Sequence, residues 1–299
     1  MSITQNVGRL ANRAKRQAIA TMGPVRRLAD SRHERLLRRY ADSLPVLSAE
    51  DRDLVAELDA RAVRVTSLEA LDLPGTAQLW DGLERLTEAL RGKPATAGTV
   101  RPDLDELLEE LPVWQFGLSD RMLDIAQSYL GMPVRYFGAD VRREVADGVA
   151  NDVRQWHRDV EDRRTLKILV WLNDVDDDGG PFAYIPLERS IEAVERLHYV
   201  AGFVSDDAMR RVVPESEWRT CPGPRGTAVV ADNCRLLHRA TPPEARDRYS
   251  VTFTWTTRHP VKTMPQEPMT AVQARRAASG LGPRQLECLP PALQHQLRT

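Results

Sequence analysis

The sequence predicts an α+β chain with a mainly β core, a double-sheet roll of stacked hairpins, carrying a helical N-terminal extension and flanking helices. Three observations predict it. Up to about residue 131, apolar residues recur at helical spacing. Beyond that, short runs of branched and aromatic residues alternate with turns dense in Gly, Pro and Asp. One of these runs, 248–255, alternates polar and apolar with a period of two.

Residues 1–40 hold ten Lys or Arg against Asp30 and Glu34, and Val7, Leu10, Ala11, Ala14 and Ala18 fall at helical spacing. The segment reads as a basic amphipathic helix broken at Gly23-Pro24. Its stripe is mostly Ala and lacks Trp and Phe. That favours a helix lying on the core, or helping to form a homo-oligomer, over contact with a membrane surface or an anionic substrate.

From about residue 45 to 131 the signals are helical. Ser48 stands three residues before Asp51 in the manner of a capping box, with Leu54, Val55 and Leu58 following. Leu79, Trp80, Leu83, Leu86 and Leu90 form a second apolar face ending at Gly92 and Pro94. Leu104, Leu107, Leu108 and Leu111 form a third, and Ser119 caps a helix ending at Gly131-Met132-Pro133. The stretch 92–102 reads as an exposed loop. The expected division is a helical extension over 1–115 packed on a β core over 116–299, one structural unit overall.

Strands are expected over 165–172, 181–186, 226–233, 236–238 and 248–255, separated by the acidic turn 173–180 and by Pro242-Pro243. In the last strand Arg248, Ser250, Thr252 and Thr254 share one face, and Tyr249, Val251, Phe253 and Trp255 the other. An ordinary half-buried strand has the same pattern. Arg248, however, follows His238 by ten positions, where a hairpin return brings it back beside that histidine.

His157 and Asp159, in Gln155-Trp156-His157-Arg158-Asp159, carry the chemistry together with His238. In an extended segment residues 157 and 159 point the same way and can grip one ion from one side. His238 closes the triangle. Two imidazoles and one carboxylate on one face of an octahedral metal leave three positions open, as in non-haem Fe(II) oxygenases. A His-x-Asp alone is weak, and its weight comes from the strands around it.

Taken in order, Trp156-His157-Arg158-Asp159, Gly179-Gly180-Pro181 leading to Ile185-Pro186, the run 226–232, His238-Arg239-Ala240-Thr241-Pro242-Pro243 and Arg248-Tyr249-Ser250 resemble the phytanoyl-CoA dioxygenase-like Fe(II)/2-oxoglutarate oxygenases. The resemblance spans about residues 125 to 256. It implies a double-stranded β-helix (jelly roll, cupin-like), Fe(II) as metal, and 2-oxoglutarate and O2 as cosubstrates. His157, Asp159 and His238 become the catalytic metal ligands and Arg248 the anchor for the distal carboxylate of 2-oxoglutarate. Trp171 and Thr252 fall at the cosubstrate. Two positions depart from the family: Pro186-Leu187-Glu188-Arg189-Ser190 replaces Pro-Gly-Ser-His, and Ala240 stands where some members have Ser.

A guanidinium presents paired donors to a carboxylate and stays charged at any working pH, which suits Arg248 to its role. Asp159 fills the space that a halide takes in halogenating relatives, so oxidation of a C–H bond is the reaction implied. Hydroxylation is the default outcome, and oxidative cyclisation, desaturation and epimerisation share the first step. The substrate is expected to be a small polar metabolite. Arg far outnumbers Lys, with only Lys15, Lys93, Lys167 and Lys262, and Ala is abundant. That bias fits bacterial natural-product biosynthesis, including that of antibiotics. A catalytically inert metal-binding roll and a protein-modifying hydroxylase are the rival readings.

A formal net charge of −1 gives no sign of a nucleic-acid partner. No apolar run is long enough for membrane insertion, and no signal-peptide core with a cleavage site is present. Cys221, Cys234 and Cys288 form no disulfide or metal pattern, which places the chain in the reducing cytoplasm. His198, His259 and His295 have no metal partner at useful spacing, and the acidic run 174–178 reads as a solvated turn rather than a calcium loop. Lys167, in the strand after the His-x-Asp pair, reads as an exposed strand lysine, with reach to the cosubstrate as the alternative. Gln155, Asn173 and Asp232 are candidates for orienting the imidazoles. Loops 142–153 and 188–224 and the tail after His259 are expected to shape the substrate pocket.

Overall fold

The computed structural model describes residues 22–94, 98–262 and 268–298, so the stripe from Val7 to Ala18 lies outside the described residues. The first described helix, Gly23–Tyr40, starts at the predicted break, with Pro24 in its first turn where a missing N–H costs nothing.

Two antiparallel sheets form the centre. Along the chain the strands are β1 (Val63–Ser67), β2 (Thr99–Val100), β3 (Val134–Glu144), β4 (Leu166–Trp171), β5 (Phe182–Tyr184), β6 (Arg219–Cys221), β7 (Thr227–Ala231), β8 (His238–Ala240) and β9 (Arg248–Thr257). The larger sheet runs β1-β7-β4-β9-β3-β2 and the smaller β6-β5-β8. A backbone bridge between His157 and His238 adds the extended segment at 157 to the free side of β8. From β3 onward the chain shuttles between sheets: β3 large, residue 157 small, β4 large, β5 and β6 small, β7 large, β8 small, β9 large.

The period-two pattern of β9 sorts the two faces of the larger sheet. Tyr249, Val251, Phe253 and Trp255 are buried with Leu166, Ile168 and Val170 of β4 in the main core, under the helices. Arg248, Ser250 and Thr252 point the other way, into a pocket between the sheets. Helix Thr76–Gly92 lays Leu79, Leu83, Leu86 and Leu90 on that core. The Ser48 hydroxyl accepts the Asp51 amide at 3.1 Å and caps helix Ala49–Arg61.

Several expectations are corrected. The stretch 45–131 is not wholly helical, because Val63–Ser67 pairs with β7 at one edge of the large sheet. Within 92–102, Thr99–Val100 pairs with β3 at the other edge. The third apolar face is two helices, Leu104–Glu109 and Leu111–Gln115, because Pro112 cannot donate to a continuing helix. Ser119 stands at the N-cap of helix Asp120–Leu130 but makes no side-chain cap bond. The loop expected from 142 starts later, since β3 runs to Glu144. The tail after His259 holds helices Ala271–Ala277, Pro283–Cys288 and Pro291–Gln296.

Strand β3 escaped the sequence because its alternation changes phase. Val134 and Tyr136 are buried, the register with β9 shifts between Tyr136 and Ala139, and Ala139 and Val141 are then the buried pair. Gly138 sits in that bulge with φ of +86°, and a Cβ there would lie 2.1 Å from the Trp114 ring.

Candidate metal centre

His157 reaches the pocket through backbone contacts rather than through a strand of its own. Trp156 bridges Val204 and His157 bridges His238. Two residues on, the Asp159 amide donates to the Asn233 carbonyl at 2.9 Å. The carbonyl at 233 is positioned by its neighbour: the Asp232 carboxylate accepts the Tyr129 hydroxyl at 2.7 Å and the Cys234 and Thr165 amides at 3.0 and 3.1 Å. Burial pushes the Asp232 carboxyl up to about 6, against the downward pull of the Tyr129 hydroxyl and the Thr165 amide. Asp232 thus organises the turn that receives Asp159, not an imidazole.

The structure brings His157, Asp159 and His238 together, with one ligand atom from each lying within 4.8 Å of the others. Asp159 Oδ1 is 3.7 Å from His157 Nε2 and 3.8 Å from His238 Nε2. Each Nδ1 faces the carbonyl two residues before it, Gln155 at 2.9 Å and Leu236 at 3.1 Å. A carbonyl can only accept, so both Nδ1 atoms carry the proton and both Nε2 lone pairs are free. Burial, with His157 alongside, pushes His238 down to about 3, so that ring is neutral and able to ligate at neutral pH. Burial alone would raise the Asp159 carboxyl, but the Lys167 ammonium beside it holds it well below the usual range. One carboxylate oxygen and two imidazole nitrogens at this separation fit a divalent first-row metal. Among the described residues no other such group of His, Cys, Asp and Glu occurs, and His198, His259 and His295 stand apart.

Arg248 begins β9 on the same pocket. Its side chain is buried, one terminal nitrogen donates to the Thr241 carbonyl at 2.9 Å, and its guanidinium lies 5.6 Å from the Trp171 ring centroid. Burial brings it down to about 10, so it stays charged at neutral pH. Its Nε has no hydrogen-bond partner among the described residues. A buried, charged donor held in place by a carbonyl and an aromatic face is built to take an anion. Thr252 lines the pocket two positions beyond Ser250.

Other residues correct the expectations. Lys167 is not exposed: its ammonium stands 2.5 Å from Asp159 Oδ2. Arg142, which the sequence reading placed in a loop, lies on β3 and lines the pocket. Asn173 brackets Arg248 rather than an imidazole, accepting the Tyr249 amide at 2.8 Å and donating to the Asp247 carbonyl at 3.1 Å. The Gln155 side chain donates to the Ala150 carbonyl, and only its backbone meets His157. Ser190, in the departing Pro186 segment, accepts the Leu237 amide at 3.0 Å and donates to the Ile185 carbonyl at 2.7 Å. It thereby ties the approach to His238 onto the residue that follows β5. Phe203, half exposed, meets the His157 ring edge-on at 5.5 Å.

No protein-family profile matches the chain, and no curated protein sequence does. Solved structures of similar shape exist. EvdO2 from Micromonospora carbonacea var. aurantiaca is 18% identical, with 75% of this chain and 96% of that one covered at a TM-score of 0.48. HygX from Streptomyces hygroscopicus, with nickel and 2-oxoglutarate bound, is 15% identical over 72% of this chain and 88% of its own, also at 0.48. EctD from S. alaskensis, with 2-oxoglutarate and 5-hydroxyectoine, is 16% identical over 71% and 76% at 0.49. At such identities an activity has to be read from the residues of the site.

Proposed function

We propose that this chain is a non-haem Fe(II)/2-oxoglutarate-dependent oxygenase of the phytanoyl-CoA dioxygenase-like family. The observation that carries this reading is the convergence of His157, Asp159 and His238 in a pocket that Arg248 also lines. The shuttling of eight segments between two sheets supports a double-stranded β-helix, with β1 and β2 added at the edges. His157, His238 and Asp159 would hold Fe(II) through the two Nε2 atoms and a carboxylate oxygen. Bound there, Fe(II) supplies the O2 activation that couples conversion of 2-oxoglutarate to succinate and CO2 with oxidation of a substrate C–H bond.

The chain's own residues supply binding and exclusion. Arg248 takes the distal carboxylate of 2-oxoglutarate, with Trp171 against its guanidinium and Thr252 on the same face of β9. Asp159 occupies the position a halide would need, which favours hydroxylation; cyclisation, desaturation and epimerisation remain outcomes of the same first step. The substrate is a small polar metabolite of bacterial natural-product biosynthesis. Free, buried Cys221, Cys234 and Cys288 fit a cytoplasmic protein. Among the described residues no helix is long and apolar enough to cross a membrane.

Anaerobic titration of the protein with Fe(II) and then 2-oxoglutarate tests the reading. A weak visible charge-transfer band, together with succinate formation once air is admitted, is expected. Metal uptake with neither band nor succinate would leave a catalytically inert metal-binding protein.

A further inference from the structure

Lys167, like Arg142, is a charged pocket residue to which the oxygenase reading gives no task. Its strand position is fixed on both sides, opposite Ala231 of β7 and Thr254 of β9. The side chain is four-fifths buried, with 20% of it exposed. Its ammonium lies 2.5 Å from Asp159 Oδ2, while Oδ1 faces the two imidazole Nε2 atoms at 3.7 and 3.8 Å. Oδ2 is buried and has no other polar partner among the described residues. The carboxylate is therefore divided: one oxygen belongs to the imidazoles and the other to the lysine.

A buried carboxylate needs a cation. A divalent metal between the imidazoles would provide one, and Lys167 provides another from the opposite side.

Resting on the metal reading of His157, Asp159 and His238, we propose that Lys167 is a positioning residue that stands in for the metal's charge on Asp159. It keeps Oδ1 turned to the imidazoles before a metal arrives. With a metal bound, the ammonium would remain beside Oδ2 and Oδ1 would remain the oxygen turned to the imidazoles. The cost is repulsion between the ammonium and the metal, which keeps the metal exchangeable.

Lys167→Met, similar in length but uncharged, and Lys167→Arg test this. Co(II) uptake is followed anaerobically by visible absorption, and thermal unfolding is recorded in EDTA and with Co(II). In EDTA, Lys167→Met is expected to unfold at a lower temperature than the wild type, because Asp159 loses its counter-charge. It should nevertheless bind Co(II) at least about tenfold more tightly, since a like charge a few ångströms from the metal is gone. Co(II) should close most of the gap in unfolding temperature, and Lys167→Arg should return both readouts toward the wild type. Co(II) affinity equal to or weaker than the wild type's, or the same loss of unfolding temperature with and without Co(II), would overturn the proposal. Failure of Lys167→Met to fold in both conditions would also count against it, because a surrogate charge is dispensable once metal is present. A wild type that takes up no metal would sink the metal reading itself and this inference with it.

Discussion

His157 and His238 exchange backbone hydrogen bonds, each amide donating to the other's carbonyl at 2.9 Å, and their ring centroids stand 4.3 Å apart. In an antiparallel pair this places both side chains on one face, so backbone register sets the separation of the two Cβ atoms before either ring chooses a rotamer. A slip of one residue would turn one ring to the other face. The Ser190 contact to the Leu237 amide and the Asn233 contact to the Asp159 amide guard against that slip.

Replacing either imidazole removes one of three ligands. Loss of an outer partner costs a metal site roughly ten- to a hundredfold in affinity, so His157→Ala and His238→Ala should each lose at least about a hundredfold. Equilibrium titration with Co(II) measures this. Wild-type affinity in either variant would remove that residue from the ligand set.

Arg248→Ala should weaken 2-oxoglutarate binding without a comparable effect on metal affinity. Truncating one partner of a buried charge pair costs about 2–5 kcal/mol, or roughly 30-fold and upward in dissociation constant. Calorimetric titration with 2-oxoglutarate in the presence of Mn(II) gives the value. Arg248→Lys should recover only part of it, because an ammonium lacks the paired donors and the flat face that meets Trp171. Unchanged binding would pass the role to Arg142, since Arg246 pairs with Asp176 at the surface.

How much of this was legible in the sequence depends on whether a contact leaves a side-chain signature. The clustering of His157, Asp159 and His238 was legible because 157 and 159 share a face and because β9 alternates without interruption from Arg248 to Trp255. β3 was hidden by the bulge at Gly138, which shifts the phase of its alternation. Of the imidazole partners, Gln155 was among the candidates but acts through its carbonyl, and Leu236 was missed because any residue has a carbonyl. Lys167 was missed for a related reason. In a strand buried on both faces, nothing local distinguishes a lysine reaching solvent from one aimed at a carboxylate, and Asp159 meets it only through the register of β4 with β7 and β9.

The Gly179-Gly180 motif acquires a cause that yields another prediction. Gly180 has φ of +70°, and a Cβ there would lie 2.4 Å from the Thr241 carbonyl oxygen and 2.5 Å from the Pro243 nitrogen. That same carbonyl accepts from Arg248. Gly180→Ala should therefore cost about 1–3 kcal/mol of stability through overpacking, with backbone strain added. It should also weaken 2-oxoglutarate binding, as Thr241 is pushed away. Chemical denaturation and a parallel 2-oxoglutarate titration check the two halves separately. Lost stability with intact cosubstrate binding would show that Arg248 does not depend on the position of Thr241.

β1 covers the outer side of β7, pairing Val63 with Ala231 and Ser67 with Thr227. A polypeptide begun at residue 116 would keep every proposed ligand yet leave the β7 backbone uncapped, a row of bare amides and carbonyls beside an apolar strand. Such an edge recruits strands from other molecules. The shortened protein should accumulate as aggregates rather than as a minimal enzyme, and the helical first third of the chain would then owe its retention to solubility as much as to catalysis.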